Sequence, residues 1–162
     1  MGTANRTAPS AVRVHIRWMI RRDFPEVLAI ENAGFDHPWS EEDFLSALRQ
    51  RNCIGMVAEL DERVVGFFVH ELHKGGLVLL NFAVAPDLRH RGVGRQMAEK
   101  LVGKLASHRR KLIRIDVRET NLAAQLFFQV QGFRAVAVLR EHFADTGEAA
   151  FRMEYRIDRE DF

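Results

Sequence analysis

The sequence predicts a single α/β domain built on a mostly antiparallel sheet with one parallel strand pair. Three observations carry this reading. Strand-like and helix-like periodicities alternate along most of the chain, a strand, helix, strand run in its middle requires a parallel pair, and two β segments around one turn close it. At 162 residues one domain is the default, and a chain of this size buries about 70% of its unfolded surface. The polar start, 1–11, is expected to be a flexible tail, leaving 12–162 as the domain.

The elements are justified in order. Val12 to Ile20 alternates Val12, Val14, Ile16 and Trp18 with Arg13, His15 and Arg17, the period of a half-buried strand. Asp23 stands where a helix N-cap would, ahead of Pro25 in the first turn and an apolar face of Val27, Leu28 and Ile30 that Gly34 ends. Ser40 is a second N-cap, and Asp43 holds the position where a capping box prefers Glu. Ile54–Leu60 and Val64–His70 read as a hairpin turning at Asp61-Glu62, with Gly66 marking a bulge. Gly75-Gly76 leads into the almost unbroken apolar run Leu77–Val84, a strand covered on both faces. A helix over Val93–His108 repeats Val93, Met97, Leu101 and Leu105, and Leu112, Ile113 and Ile115 start the next buried strand. That run is a right-handed βαβ unit. A helix over Asn121–Gln131 stops at Gly132, and Phe133–Phe143 with Ala149–Ile157 close the sheet around Asp145-Thr146-Gly147.

Composition excludes several classes. A hydrophobic share of 47%, with four prolines and eleven glycines, rules out bulk disorder and low complexity. The single cysteine, Cys53, excludes an internal disulfide and CxxC zinc spacing, and reads as a small buried hydrophobe in a strand. No apolar run reaches the roughly 18 residues of a membrane span. The start has no signal-peptide core, and Arg6 spoils the myristoylation pattern suggested by Met1-Gly2. A soluble, cytoplasmic protein with no membrane partner is expected. His70-Glu71-Leu72-His73 lacks the spacing of a helical zinc site and reads as surface polar residues; no metal is expected.

The net charge of +2 hides an asymmetry, because nine basic residues against two acidic ones lie between Asp87 and Arg114. Such a segment either recruits an anion or forms a solvated helix face. Inside it, Arg89-His90-Arg91-Gly92-Val93-Gly94-Arg95 joins a strand to a helix. Two glycines let successive N–H groups point outward at the positive end of a helix dipole, a nest suited to pyrophosphate. The order of glycines fits neither a Walker A loop nor GxGxxG. Nucleic acid is the weakest partner class, since the segment lacks interleaved aromatics.

The stretch Phe82-Ala83-Val84-Ala85-Pro86-Asp87-Leu88 followed by Arg89–Arg95 resembles the acetyl-CoA-binding motif of the GNAT superfamily of N-acetyltransferases. His37-Pro38-Trp39-Ser40 with Phe44, Asp116-Val117-Arg118-Glu119-Thr120-Asn121, and Phe128-Gln129-Val130-Gln131-Gly132-Phe133 narrow the resemblance toward the ribosomal-protein alanine N-acetyltransferases. The matched stretches run from about residue 12 to 156 in the family's order. The resemblance implies a GNAT-like sheet of about seven strands with about four helices and a splayed parallel pair. It implies acetyl-CoA as co-substrate, bound by backbone groups of Phe82, Ala83 and Val84 along the pantetheine arm and thioester. His90, Arg91, Gly92, Val93, Gly94 and Arg95 would hold the pyrophosphate, and Asn121 the cofactor arm; Asn121 is also a simple helix N-cap. Asp116 stands where related enzymes have a glutamate base. It would act through water, hold the substrate ammonium, or be an ordinary strand-end carboxylate paired with Arg118 or Arg114. Phe128 occupies the position of the family's acid tyrosine, beside the cofactor, and has no proton to give. The only tyrosine, Tyr155, would have to reach the sulfur from the last strand. Phe35 and Trp39 on one wall and His142 and Phe143 on the other are candidate acceptor contacts or ordinary packing.

The expected function is acetyl transfer from acetyl-CoA to a primary amine, most directly the α-amine of a protein N terminus. The alternatives are a small-molecule or lysine amine as acceptor, or an acyl-CoA-binding module with weak turnover, which Phe128 motivates.

Overall fold

The computed structural model describes residues 10–157, and within them the sheet has seven strands in the order β1-β2-β3-β4-β5-β7-β6. Strand β1 is His15–Trp18, β2 Cys53–Leu60, β3 Arg63–His73, β4 Gly76–Val84, β5 Leu112–Arg118, β6 Arg134–Leu139 and β7 Ala150–Arg156. The helices are α1 Phe24–Gly34, α2 Glu41–Leu48, α3 Val93–Ser107 and α4 Leu122–Val130. Every pairing is antiparallel except β4 with β5. That pair follows from chemistry: α3 buries Val93, Met97, Leu101 and Leu105, so the chain must cross over the sheet to start β5.

Successive residues of a strand point to opposite faces, and β3 shows what each face holds. Phe67 meets Phe44 of α2 edge-on, with ring centroids 5.5 Å apart. Its neighbour Phe68 stacks on Phe82 of β4 at 6.2 Å. Gly66, on the face of Phe68, lies under Met97 and Val93 of α3. The sheet is thus covered on both sides, and β2, β3 and β4 are its buried centre.

Several expectations change in detail. The first strand shortens to His15–Trp18, because the Val12 N–H donates to Arg91 O and the Val14 N–H to the Gln96 side chain. Residues 1–9 of the expected tail lie outside the described residues; Ser10 already accepts from Arg91 Nε at 2.8 Å. Asp23 holds the N-cap position of α1, but its side chain makes no cap bond there. Its carboxylate takes both terminal nitrogens of Arg17 at 2.8 Å and the Ile20 N–H, and the Arg17 contact holds it below the usual carboxylate range. Ser40 does cap α2, and Asp43 returns the bond to the Ser40 N–H, so the shorter acid completes the capping box. The bulge falls at Val65, which has no partner between Ala58↔Gly66 and Glu59↔Val64. His70 is not a surface residue: β3 runs on to His73, and His70 is fully buried. Cys53 opens β2 and is buried, which pushes its thiol up to about 11. No helix among the described residues is long and apolar enough to cross a membrane.

Candidate active site

Strands β4 and β5 pair only at Leu77↔Ile113 and Val78↔Arg114 and then part. A bulge in β4 starts the separation, since β3 pairs Val69 with Asn81 but His70 with Leu79, leaving Leu80 over. Beyond it, alternate backbone groups of β4 lose a strand neighbour. The Ala85 N–H donates to Val65 O, and Ala83 O lies toward Gly66, so these two residues face β3. Phe82 and Val84 therefore turn their N–H groups into the gap. Of the three β4 residues expected to meet the donor through the backbone, only these two are so oriented; Ala83 spends its polar groups on β3. The Phe82 N–H is held at 2.8 Å by the side-chain oxygen of Asn81, so a ligand carbonyl there must displace that oxygen or share the N–H with it.

The loop after β4 has the expected geometry. His90 and Gly92 take positive φ values of 59° and 84°, and Gly92 is the N-cap of α3 without a side-chain cap. Left-handed backbone at these two places turns the loop tightly. The N–H groups of Val93, Gly94 and Arg95 then open the helix with no carbonyl one turn before them. Gly94 has a second role: a Cβ there would come within 3.0 Å of the Phe127 ring of α4. Among the loop's cations, Arg91 is turned back to Ser10 O and Arg95 pairs with Glu99 at 2.9 Å. Both of these guanidinium groups are thus already engaged within the protein.

A cavity of about 150 Å³ lies in the gap. Glu31, Phe35, Trp39, Asp116, Asn121 and Phe143 line it, as do Phe82 and Phe128. A larger hollow of about 640 Å³ sits elsewhere, between α4 and β6–β7, but Gln125, Gln129, Arg134 and Met153 give it no proton carrier or nucleophile. Of these two, the small cavity is the one with carboxylates in its walls.

Its walls bring together Phe35, Trp39, Phe82, Asp116, Asn121, Phe128 and Phe143 of the residues expected from the sequence; Ala83, Val84, His142 and the 90–95 loop do not line it. Phe35 and Trp39 come from the α1–α2 connection, and Phe143 from the β6–β7 loop opposite. Trp39 also packs edge-on against Phe44, so it belongs to the wall and the core at once. Asn121 is the N-cap of α4, its oxygen accepting from the Ala124 N–H at 3.1 Å, and it still lines the cavity. Phe128 is 3% exposed and packs edge-on against Phe82, Phe127 and Phe133. It is a core residue with one edge on the cavity. Tyr155 packs on Phe133 and does not line the cavity.

Asp116 is in place but not free. It lies directly across from Arg152 of β7, whose Nε and a terminal nitrogen donate to its two oxygens at 2.9 and 3.2 Å. His142 Nε2 stands 3.1 Å from Oδ2. The expected partners are engaged elsewhere or absent from the contact: Arg118 binds Asp145 and Glu148 and lies 3.9 Å above the Phe143 ring. These contacts fasten the β6–β7 loop, whose Glu148 also accepts from the Thr120 hydroxyl. His142 sits behind Phe143, edge-on at 5.1 Å.

Glu31 was not foreseen. It is 2% exposed, accepts the Trp39 N–H at 3.1 Å and the Asn81 amide at 2.8 Å, and burial raises its pKa. One carboxylate thus ties the acceptor-side loop to β4. The signal was present in the helix: Glu31 follows Val27 by four residues and so falls on the buried stripe of α1. Arg152 left no such trace, because its pairing with Asp116 depends on the β5–β7 register.

Unpartnered first-turn N–H groups at a helix start, a parted strand pair and a carboxylate-bearing cavity between them are an arrangement suited to a group-transfer enzyme. Residues 15–133 match the acetyltransferase (GNAT) family, and the chain belongs to that family. The ribosomal protein bS18-alanine N-acetyltransferase of Salmonella typhimurium is 28% identical over 121 residues, 75% of this chain and 81% of the relative. An uncharacterized N-acetyltransferase of Methanocaldococcus jannaschii is 29% identical over 140 residues, 85% of this chain and 88% of its own. Among solved structures, the ribosomal-protein alanine N-acetyltransferase of Escherichia coli superposes with a TM-score of 0.79 at 24% identity, covering 93% of this chain and 99% of that one. A GNAT acetyltransferase from Elizabethkingia anophelis with acetyl-CoA bound gives 0.72 at 16% identity, covering 89% and 98%.

Proposed function

We propose that the protein transfers acetyl from acetyl-CoA to the α-amine of a protein N terminus. The observation that carries this reading is the cavity at the β4–β5 gap, open between the Phe35–Trp39 loop and the Phe143 loop, with Glu31 and Asp116 in its walls. An extended chain end fits between two such loops, and its ammonium meets the remaining lone pairs of the carboxylates. The relatives named above for alanine N-acetylation support the same acceptor class. On the donor side, the first-turn N–H groups of α3 hold the pyrophosphate, and Phe82 and Val84 present N–H groups along the arm. The Phe82 N–H, freed from Asn81, is the donor for the acetyl carbonyl oxygen as charge develops on it. Bound acetyl-CoA supplies the electrophilic thioester; the residues supply position and proton transfer. We place the protein in the cytoplasm and read its basic segment as part of the donor cradle.

The test is release of CoA from acetyl-CoA at pH 8 with three acceptor sets: peptides with free N termini, N-blocked peptides with internal lysines, and small amines. Release confined to free N termini is expected. Release with lysine or small amines alone moves the acceptor to the alternative classes. Tight acetyl-CoA binding with no release in any set leaves the binding module, for which Phe128 in place of an acid is the supporting feature.

A further inference from the structure

The two carboxylates that line the cavity differ in what they already hold. Asp116 has a cation, since Arg152 donates to both of its oxygens. Glu31 has none among the described residues. Its oxygens accept from neutral donors, the Trp39 N–H at 3.1 Å and the Asn81 amide at 2.8 Å. The basic side chains that share the cavity wall are turned elsewhere: His37 faces Asp145, and Arg118 pairs with Asp145 and Glu148. With about four lone-pair sites to a carboxylate, one on each Glu31 oxygen stays open. A buried carboxylate without a counter-charge is costly to keep ionised, and burial accordingly raises the pKa of Glu31. A cation entering the cavity offsets that cost.

Asn81 fixes where Glu31 stands relative to the donor. Its amide nitrogen donates to Glu31 Oε2, and its side-chain oxygen accepts the Phe82 N–H. One amide group and two hydrogen bonds therefore separate the carboxylate from the N–H assigned above to the acetyl carbonyl. An amine on the open side of Glu31 and a carbonyl at Phe82 share one cavity of about 150 Å³, which leaves little distance between them.

Resting on the acetyltransferase reading above, we propose that Glu31 binds the acceptor's α-ammonium and that Glu31, rather than Asp116, takes its proton. The proton passes from the nitrogen to an open lone pair of the carboxylate. In a buried site the neutral pair of acid and amine is favoured over the ion pair more than it is in water. The neutral nitrogen then forms the N–C bond to the acetyl carbon, the C–S bond breaks, and the thiolate takes the second proton that the nitrogen sheds. The products are an amide and free CoA thiol, and Glu31 returns its proton to solvent as they leave. The charged groups nearest to Glu31 are His37, Asp116 and Arg118 in the cavity wall, and Arg89, which reaches the end of α1 at Gly34. Asp23 with Arg17, Glu26, and Arg63 with Asp87 lie toward the start of α1 and in the elements beside it.

The experiment is the pH profile of kcat/KM for one peptide with a free N terminus, in the wild type, Glu31→Gln and Asp116→Asn, with acetyl-CoA binding measured alongside. A wild type that takes the proton itself uses the ammonium form. Its kcat/KM should stay level below the α-amine's own pKa, near 8, and fall only where Glu31 is protonated. Glu31→Gln must wait for free amine. Its kcat/KM should climb by about tenfold per pH unit up to about pH 8, lying about 10²-fold below the wild type at pH 6, with acetyl-CoA binding unchanged. Asp116→Asn should keep the level profile. Where Glu31→Gln does not fold, Glu31→Asp replaces it: a level profile at reduced rate supports the proposal, and a climbing one overturns it. A Glu31→Gln rate reduced equally at every pH, as a purely structural role gives, overturns the proposal. So does a level profile in Glu31→Gln with a climbing one in Asp116→Asn, which makes Asp116 the base. An active wild type whose own profile climbs to pH 8 overturns the base alone; one that transfers acetyl to no amine overturns the acetyltransferase reading with it.

Discussion

His70 shows how a single buried side chain sets a pH limit on the whole protein. Both its nitrogens are buried without a hydrogen-bond partner in the structure, and burial, with Lys104 and His108 nearby, pushes its pKa down to about 4. An unfolded chain would protonate it near pH 6.5. The folded pKa lies below the unfolded one, so stability is full above about pH 6.5 and is lost progressively as pH falls toward 4. The loss approaches about 3 kcal/mol for this group. His70→Leu should therefore unfold thermally at a midpoint that falls less than the wild type's between these two pH values; equal slopes would show that His70 does not carry the dependence. Phe128 poses the second question at this scale. It lines the cavity, and by resemblance to the family it holds the position of the acid tyrosine. If protonation of the departing thiolate limits turnover, Phe128→Tyr should raise kcat by about tenfold or more, within the range of general acid catalysis. An unchanged kcat with intact acetyl-CoA binding would mean that the thiolate leaves without an acid.

The site is a product of element ends, and here the sequence was most legible. The glycine-spaced loop before α3, Asn121 as N-cap of α4 and the strand, helix, strand crossover were all readable, because caps, turns and crossovers are local chemistry. Orientation within the strands was not. That Phe82 and Val84 face the gap while Ala83 faces β3 depends on where the β4 bulge falls, at Leu80, and nothing in an apolar run marks a bulge. The partner of Asp116 was hidden for the same reason, since β7 inserts between β5 and β6 and brings Arg152 opposite. His70 was misread because His70-Glu71-Leu72-His73 looks polar, yet at His70 β3 is paired on both sides and buried, and of these four only His73, at its end, is exposed. One prediction belongs to this scale. Gly92 sits at φ 84° at the start of α3, where a Cβ costs about 1–2 kcal/mol. Gly92→Ala should weaken acetyl-CoA binding by about tenfold or more while the far end of α3 stays folded. Binding as tight as wild type would show that the loop is not the cradle.

At the scale of the molecule, function depends on two halves meeting at one seam. β1 to β4 with α1 and α2 form one side, and β5 to β7 with α4 the other; past Val78 and Arg114, β4 and β5 are unpaired. The donor side, in the reading proposed above, is built from backbone, which explains why its residues read clearly as a motif. The acceptor side is built from side chains on two loops: Phe35 and Trp39 on one, His142 and Phe143 on the other, pinned by Glu31, Arg118 and Glu148. The sequence indicated the aromatic members and left out the charged pins, which act only through tertiary contacts. The central claim is that this seam presents an N-terminal amine to the acetyl group. Its most direct test is one peptide that carries both a free α-amine and an internal lysine, incubated with acetyl-CoA and the protein, with tandem mass spectra locating the acetyl group. A single acetyl on the N-terminal nitrogen, formed only with active protein, is the predicted result; acetyl on the lysine alone, or an unmodified peptide in a sample that acetylates small amines, would contradict it.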